Sequence, residues 1–115
     1  MSDTKRGLRP AGTGNQKAMN NKLNTIGLCR KAGKLIGGFD AVFEELEKPR
    51  SKAAGVLIAK DISAKTKKEV LFRAQRSNAK VAEIDCTMDQ LQQVLGKRIG
   101  VIAILDEGFY KSLSN

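Results

Sequence analysis

Residues 29–42, Cys29-Arg30-Lys31-Ala32-Gly33-Lys34-Leu35-Ile36-Gly37-Gly38-Phe39-Asp40-Ala41-Val42, decide the fold of this chain. Gly33 stands where a helix would stop, because glycine takes the left-handed conformation of a helix C-terminus at little cost. Lys34-Leu35-Ile36 is short and extended in character, and Gly37-Gly38 can turn with positive φ before a new apolar period begins. Phe39, Val42, Phe43 and Leu46 then fall at i, i+3, i+4 and i+7, the spacing of a helix with one buried face. Helix, strand, glycine turn, helix is therefore the expected order. The turn is left at the surface, where its backbone and the first N–H groups of the new helix meet Arg30, Lys31 and Lys34. Such a place suits a phosphate or the edge of a base. The same three cations also suit the carbonyl end of the preceding helix dipole, with no ligand involved.

Downstream, residues 39–48 form the second helix, closed by Pro49, and Arg50-Ser51-Lys52 is a basic connection. Ala53-Ala54-Gly55-Val56-Leu57-Ile58-Ala59 is a continuous apolar run, as expected of a strand covered on both faces. Lys60-Asp61-Ile62-Ser63 is its exit loop, and Ser63 or Asp61 can cap a helix over residues 64–77. Val70, Leu71 and Ala74 mark the inner side of that helix, and Lys65, Lys67, Lys68, Arg73 and Arg76 make it strongly basic. A solvated face explains such a run as well as a binding face does. Residues 80–84 read as a strand, and Thr87 caps a helix with Met88, Leu91 and Leu95 inward, ended by Gly96. Lys97-Arg98-Ile99-Gly100 is a second exposed basic loop before the last buried strand, residues 101–105, and a short final helix lies around residues 110–113. Upstream, a helix is expected from residue 21 or 22 to residue 32, with Leu23, Ile26 and Cys29 inward.

Residues 1–21 mix Gly, Pro, Thr, Asn and Lys/Arg without periodicity and read as a basic, disordered tail. A basic arm along a phosphate backbone and a terminus with no task both fit it. The domain proper is residues 22–115. Strands alternating with helices give an α/β fold, a three-layer α/β/α sandwich on a central mixed sheet of about four strands.

With 115 residues the chain holds one domain and one core. Its 21 Lys+Arg against 12 Asp+Glu give a net charge of +9, and the pI of about 9.8 is in the range of nucleic-acid-binding domains. There is no histidine, so the commonest general base and metal ligand are missing. Cys29 and Cys86 lie far apart with no CxxC spacing, and both are expected to be small buried hydrophobes in a reducing cytoplasm. Neither GxGxxG nor GxxxxGK[ST] is present, no apolar run is long enough for a membrane span, and no signal peptide begins the chain. A non-enzymatic cytoplasmic protein without cofactor, catalytic residue or metal is the expectation.

Placed in order, RKAGKLIGG at residues 30–38, VLIAKDIS at 56–63, LQQVLG at 91–96 and VIAIL at 101–105 resemble the L-seven-Ae/L-thirty-e/Gadd-forty-five family of ribosomal proteins, the kink-turn RNA binders. The likeness is to the small bacterial ribosomal-protein-like members and covers residues 22–113. It implies an α/β/α sandwich whose RNA-binding edge joins the glycine turn to the loop before the last strand. Carried over, those are Gly37, Gly38, Phe39 and Asp40, with Lys97, Arg98, Ile99 and Gly100. The family's turn reads Gly-Thr-Asn-Glu, and its polar side chains bond sheared G·A pairs. Here Gly38 matches, but Phe39, Asp40 and Ala41 replace Thr, Asn and Glu, and Glu44 stands where a lysine is common.

Ionised Asp40 can only accept, and Ala41 offers no side-chain hydrogen bond. Each lost base contact is worth about 1–3 kcal/mol, so kink-turn discrimination is the property most exposed to these changes. Phe39 could stack on a base, although its place at the head of the apolar stripe points to the core. Arg30, Lys31, Lys34, Lys97 and Arg98 are the expected phosphate holders. The expected partner is ribosomal or structured non-coding RNA, with the ribosome as a further candidate, bound by a monomer. The alternative is a protein-interaction or ribosome-assembly module that has lost kink-turn specificity.

Overall fold

The computed structural model describes the backbone of residues 13–114 and the side chains of residues 21–114. Its elements are α1 (Thr13–Lys31), β1 (Leu35–Gly37), α2 (Phe39–Leu46), β2 (Gly55–Ala59), α3 (Ala64–Arg76), β3 (Val81–Ile84), α4 (Met88–Leu95), β4 (Val101–Ile104) and α5 (Glu107–Ser114). The strands form one mixed sheet in the order β1-β4-β2-β3. β4 runs antiparallel to both its neighbours, and β2 pairs with β3 in parallel.

Alternation along the central strands sends side chains to two cores. Val56 and Ile58 of β2 and Val101 and Ala103 of β4 pack with Val42, Phe43 and Leu46 of α2 and with Val70 and Ala74 of α3. Leu57, Ala59, Ile102 and Ile104 face the other way, onto Ile26 and Cys29 of α1, Leu91 and Leu95 of α4, and Tyr110 and Leu113 of α5. The three layers expected from the alternation are thus present. Complete burial of both central strands explains their unbroken apolar sequence. Each fully buried Leu, Ile, Val or Phe contributes about 1.5–3 kcal/mol of transfer free energy.

Local chemistry sets the element ends. Ser63 Oγ accepts the Thr66 N–H at 3.1 Å and caps α3, while Thr87 and Gln90 form a reciprocal capping box on α4. Asp61 is spent elsewhere: its Oδ1 accepts the Met88 N–H at 2.9 Å, tying the exit loop of β2 to the start of α4. Gly96 ends α4 in the left-handed conformation at φ +76°. Gly55 packs so closely beneath the Tyr110 ring that a Cβ there would run into it.

Three expectations differ from the structure. α1 begins at Thr13 rather than residue 21 or 22, because Gln16, Lys17, Ala18 and Met19 favour helix without any apolar period to advertise it. The rest of the expected tail, residues 1–12, lies outside the described residues. Leu71 is 45% exposed instead of facing inward, since it sits one residue around the helix from Val70 and past the buried face. α5 starts at Glu107, earlier than its apolar residues suggest, because Asp106 Oδ1 accepts the Phe109 N–H at 2.9 Å and caps the helix in spite of Gly108.

Both cysteines are buried and unbonded to each other. Burial, with Asp106 adding to it, pushes the Cys29 thiol up to about 11, and its Sγ–H donates to the Lys34 carbonyl at 3.2 Å. The Cys86 thiol is also raised, chiefly by burial. No helix among the described residues is long and apolar enough to cross a membrane.

Candidate nucleic-acid interface

The glycine turn is held by the sheet it leaves. Gly37 pairs with Ile102 across β1 and β4, and the Gly38 N–H donates to the Val101 carbonyl at 2.9 Å. Gly38 itself lies at φ +100°, ψ 141°, a conformation that side chains disfavour. Its carbonyl accepts the Val42 N–H at 2.9 Å and so starts α2. No side-chain cap covers that start, which leaves donor groups of the first turn directed at solvent.

Residues 97–100 approach the turn through Ile99. A Cβ on Gly37 would strike Ile99 Cδ1, so the bare face of the glycine is what allows the two loops to meet. The Gly100 carbonyl accepts the Ala59 N–H at 2.9 Å, and a Cβ on Gly100 would collide with Ile62. The exit loop of β2 therefore joins as a third wall. Between the three loops lies an open depression of about 400 Å³ lined by Gly38, Phe39, Ile62, Ser63, Thr66, Met88, Arg98, Ile99, Gly100 and Val101. On the other side of Ile99 a smaller hollow of about 180 Å³ is lined by Arg30, Leu35, Gly37, Leu95, Lys97 and Ile99.

Of the residues singled out from the sequence, Arg30, Gly37, Gly38, Phe39, Lys97, Arg98, Ile99 and Gly100 are brought together here. Arg30 Nη1 donates to the Val94 carbonyl at 3.4 Å, which turns its guanidinium toward the end of α4. Arg98 pairs with Asp89, both of them well exposed. Lys97 makes no ion pair among the described residues. Asp40 is exposed in the first turn of α2 but lines neither hollow. Lys31 lies with Arg30 along a groove between α1 and α4, and Lys34 is exposed at the start of β1, with its backbone tied to Cys29 and Leu105. These last two flank the site without entering it.

Phe39 is half-buried against the α2–α3 core. Its ring centroid is 4.8 Å from that of Phe43, and the Arg73 guanidinium lies 5.4 Å from the Phe39 centroid and 4.7 Å from that of Phe43. Arg73 is fixed in turn by Glu47, at 2.8 Å. The ring is thus engaged within the molecule, in keeping with the core position its spacing indicated.

Ile62, Ser63, Thr66 and Met88 were not legible as site residues, since Ser63 carries only a capping signal and the other three only a helical or apolar one. Asp89 likewise gives no local sign that it faces Arg98. Among the described residues no three His, Cys, Asp or Glu side chains gather as a metal site would require. The arrangement can offer backbone donors, close approach at Gly38 and exposed cations. It offers no nucleophile paired with a base.

No family model matches the chain. It is 34% identical over 100 residues to the RNA-binding protein YlxQ of Enterococcus faecium, covering 84% of this chain and 86% of that one. It is 30% identical over 93 residues to the RNA-binding protein YlxQ of Bacillus subtilis (strain 168), covering 76% and 86%. The chain belongs to the YlxQ family. The fold recurs in the solved structure of a protein with unknown function from Bacillus halodurans C, at a TM-score of 0.67 and 24% identity, over 78% of this chain and 89% of that one.

Proposed function

We propose that this chain is a non-enzymatic RNA-binding protein that takes structured RNA at the edge where the glycine turn meets residues 97–100. The observation that carries the proposal is the junction at Gly37 and Ile99, which sets an uncapped helix start beside the cations of Arg30, Lys97 and Arg98. The YlxQ relatives, both named RNA-binding proteins, support the same partner. In this reading the open backbone of Gly38 admits the sugar-phosphate chain, Gly37 lets Ile99 close against the turn, and Arg30, Lys97 and Arg98 hold phosphates. Lys31 and Lys34 add attraction from the flank, Ile99 and Gly100 shape the floor, and Phe39 supports α2 from below.

Within that reading the preferred RNA is kink-turn-like, in ribosomal or structured non-coding RNA, bound by a cytoplasmic monomer related to the L-seven-Ae/L-thirty-e proteins. Asp40 stands in the first turn of α2, where an acceptor can still meet a base amino group. Exposed Ala41 and Glu44 supply no matching donor, so affinity would rest more on phosphates than on bases. The same two positions support the second reading, an assembly module that docks on protein.

A gel-shift titration at physiological salt, with a kink-turn RNA and the same RNA with disrupted G·A pairs, tests both levels. A preference for the intact motif is expected if Asp40 reads it. Equal, salt-sensitive binding would keep RNA and remove the kink-turn. Absence of binding even at low salt, with a protein partner that stays bound after nuclease treatment, would favour the assembly module instead.

A further inference from the structure

Away from the glycine edge, α3 carries an arrangement that packing does not use. Its inner cations are satisfied: Lys67 bonds Glu83 at 3.0 Å, and Arg73 bonds Glu47 beneath the two phenylalanine rings. Lys65, Lys68, Phe72 and Arg76 recur at i, i+3, i+7 and i+11 and so share the opposite face, turned away from buried Val70 and Ala74. Phe72 is 59% exposed, and the Arg76 guanidinium lies over its ring at 5.8 Å from the centroid. Lys65 and Lys68 are exposed and make no ion pair among the described residues. A large aromatic is thus left more than half exposed among three cations that make no ion pair among the described residues.

We propose that the outward face of α3 is a second binding surface, for single-stranded RNA, on which a base stacks against Phe72 while Lys65, Lys68 and Arg76 hold the neighbouring phosphates. Charge complementarity selects this occupant: three cations against the single carboxylate of Glu69 repel a second copy of the same face and attract a polyanion. An aromatic face accepts any base, and cations about one helical turn apart can follow a backbone, the combination that non-specific single-strand sites use. Ser63 and Thr66 at the start of α3 line the depression beside Gly38 and Arg98, and Thr66 shares the side of the helix that carries Val70 and Ala74, so this surface is separate from the first one. The inference takes its class of polymer from the proposed function, but the two sites fail separately.

The probe is a 12-nucleotide oligouridylate, titrated into the full chain by fluorescence anisotropy at several salt concentrations. Salt-dependent binding is expected, weakened about 5- to 150-fold by F72A and restored by F72Y, which keeps the ring. The pair Lys65→Ala and Lys68→Ala should lower the salt slope by about 1.4, or roughly 0.7 for each phosphate released from a single strand. Because Phe72 is mostly solvated, F72A should fold normally, which circular dichroism checks. No oligouridylate binding, or binding that F72A leaves unchanged, would overturn the inference. So would a protein partner or a self-associated dimer that F72A releases while oligouridylate binding persists. Oligouridylate binding without structured-RNA binding would instead remove the reading of the glycine edge and leave this one standing.

Discussion

The glycine edge and helix α3 are both basic, yet they are built on opposite plans. At the edge Lys97 and Arg98 sit on a short loop beside Arg30 at the end of α1, and their placement depends on backbone features: Gly38 at φ +100°, Gly37 bare beneath Ile99, and Gly100 against Ile62. On α3 the cations sit on a capped helix whose inner charges are already paired and whose outer ones are not. The difference teaches where sensitivity should lie. The edge should respond to single atoms near the backbone, and α3 to charge and to salt.

The largest effect is expected from Gly38→Ala, which places a Cβ on a conformation that side chains disfavour. It should lower stability by about 1–3 kcal/mol in urea unfolding and weaken structured-RNA binding beyond what the unfolded fraction explains. Unchanged binding in the folded fraction would break the contrast, because the edge would then not depend on its backbone. Next is Arg98→Ala, which should reduce the salt slope for structured RNA by about one unit and leave oligouridylate binding intact. A loss on both probes would merge the two surfaces into one.

Arg73→Ala sharpens the comparison from the other side. It removes the Glu47 pair and the cation over Phe39 and Phe43, so calorimetry should show a loss of about 1 kcal/mol, with no change in the salt slope of either RNA. A changed slope would mean that the inner face of α3 also meets RNA. The smallest effect concerns Cys29, whose Sγ–H holds the Lys34 carbonyl where the edge begins. Its thiol stays protonated up to about 11 in the folded chain, against an ordinary value of 9.0. The unfolded chain therefore ionises first, and native stability should fall as pH rises from 9 toward 11. Cys29→Ala should flatten that part of the pH–stability curve, and a curve of unchanged shape would place the ionisation elsewhere.

Most elements could be read from local pattern. Phe39, Val42, Phe43 and Leu46 announce α2, the run at residues 55–59 announces a doubly covered strand, and Thr87 with Gly96 brackets α4, since each signal lies within a few residues of its effect. α1 upstream of residue 21 was not readable, because a sequence with no apolar period leaves only propensity as a trace. The glycine turn and the basic loop could be identified as candidates, but their meeting could not.

The amino-acid order by itself determined the two apolar cores, the positive-φ glycines, the helix caps and the excess of cations, because these follow from side-chain volume, backbone freedom and charge. Tertiary structure alone decided which cations stand free. The sheet order β1-β4-β2-β3 brings Gly37 under Ile99, Arg73 to Glu47, Arg98 to Asp89 and Lys67 to Glu83, and it leaves Lys65, Lys68 and Arg76 without an ion pair among the described residues. Pairings between residues so far apart in the chain depend on strand order and register, and no local spacing records either.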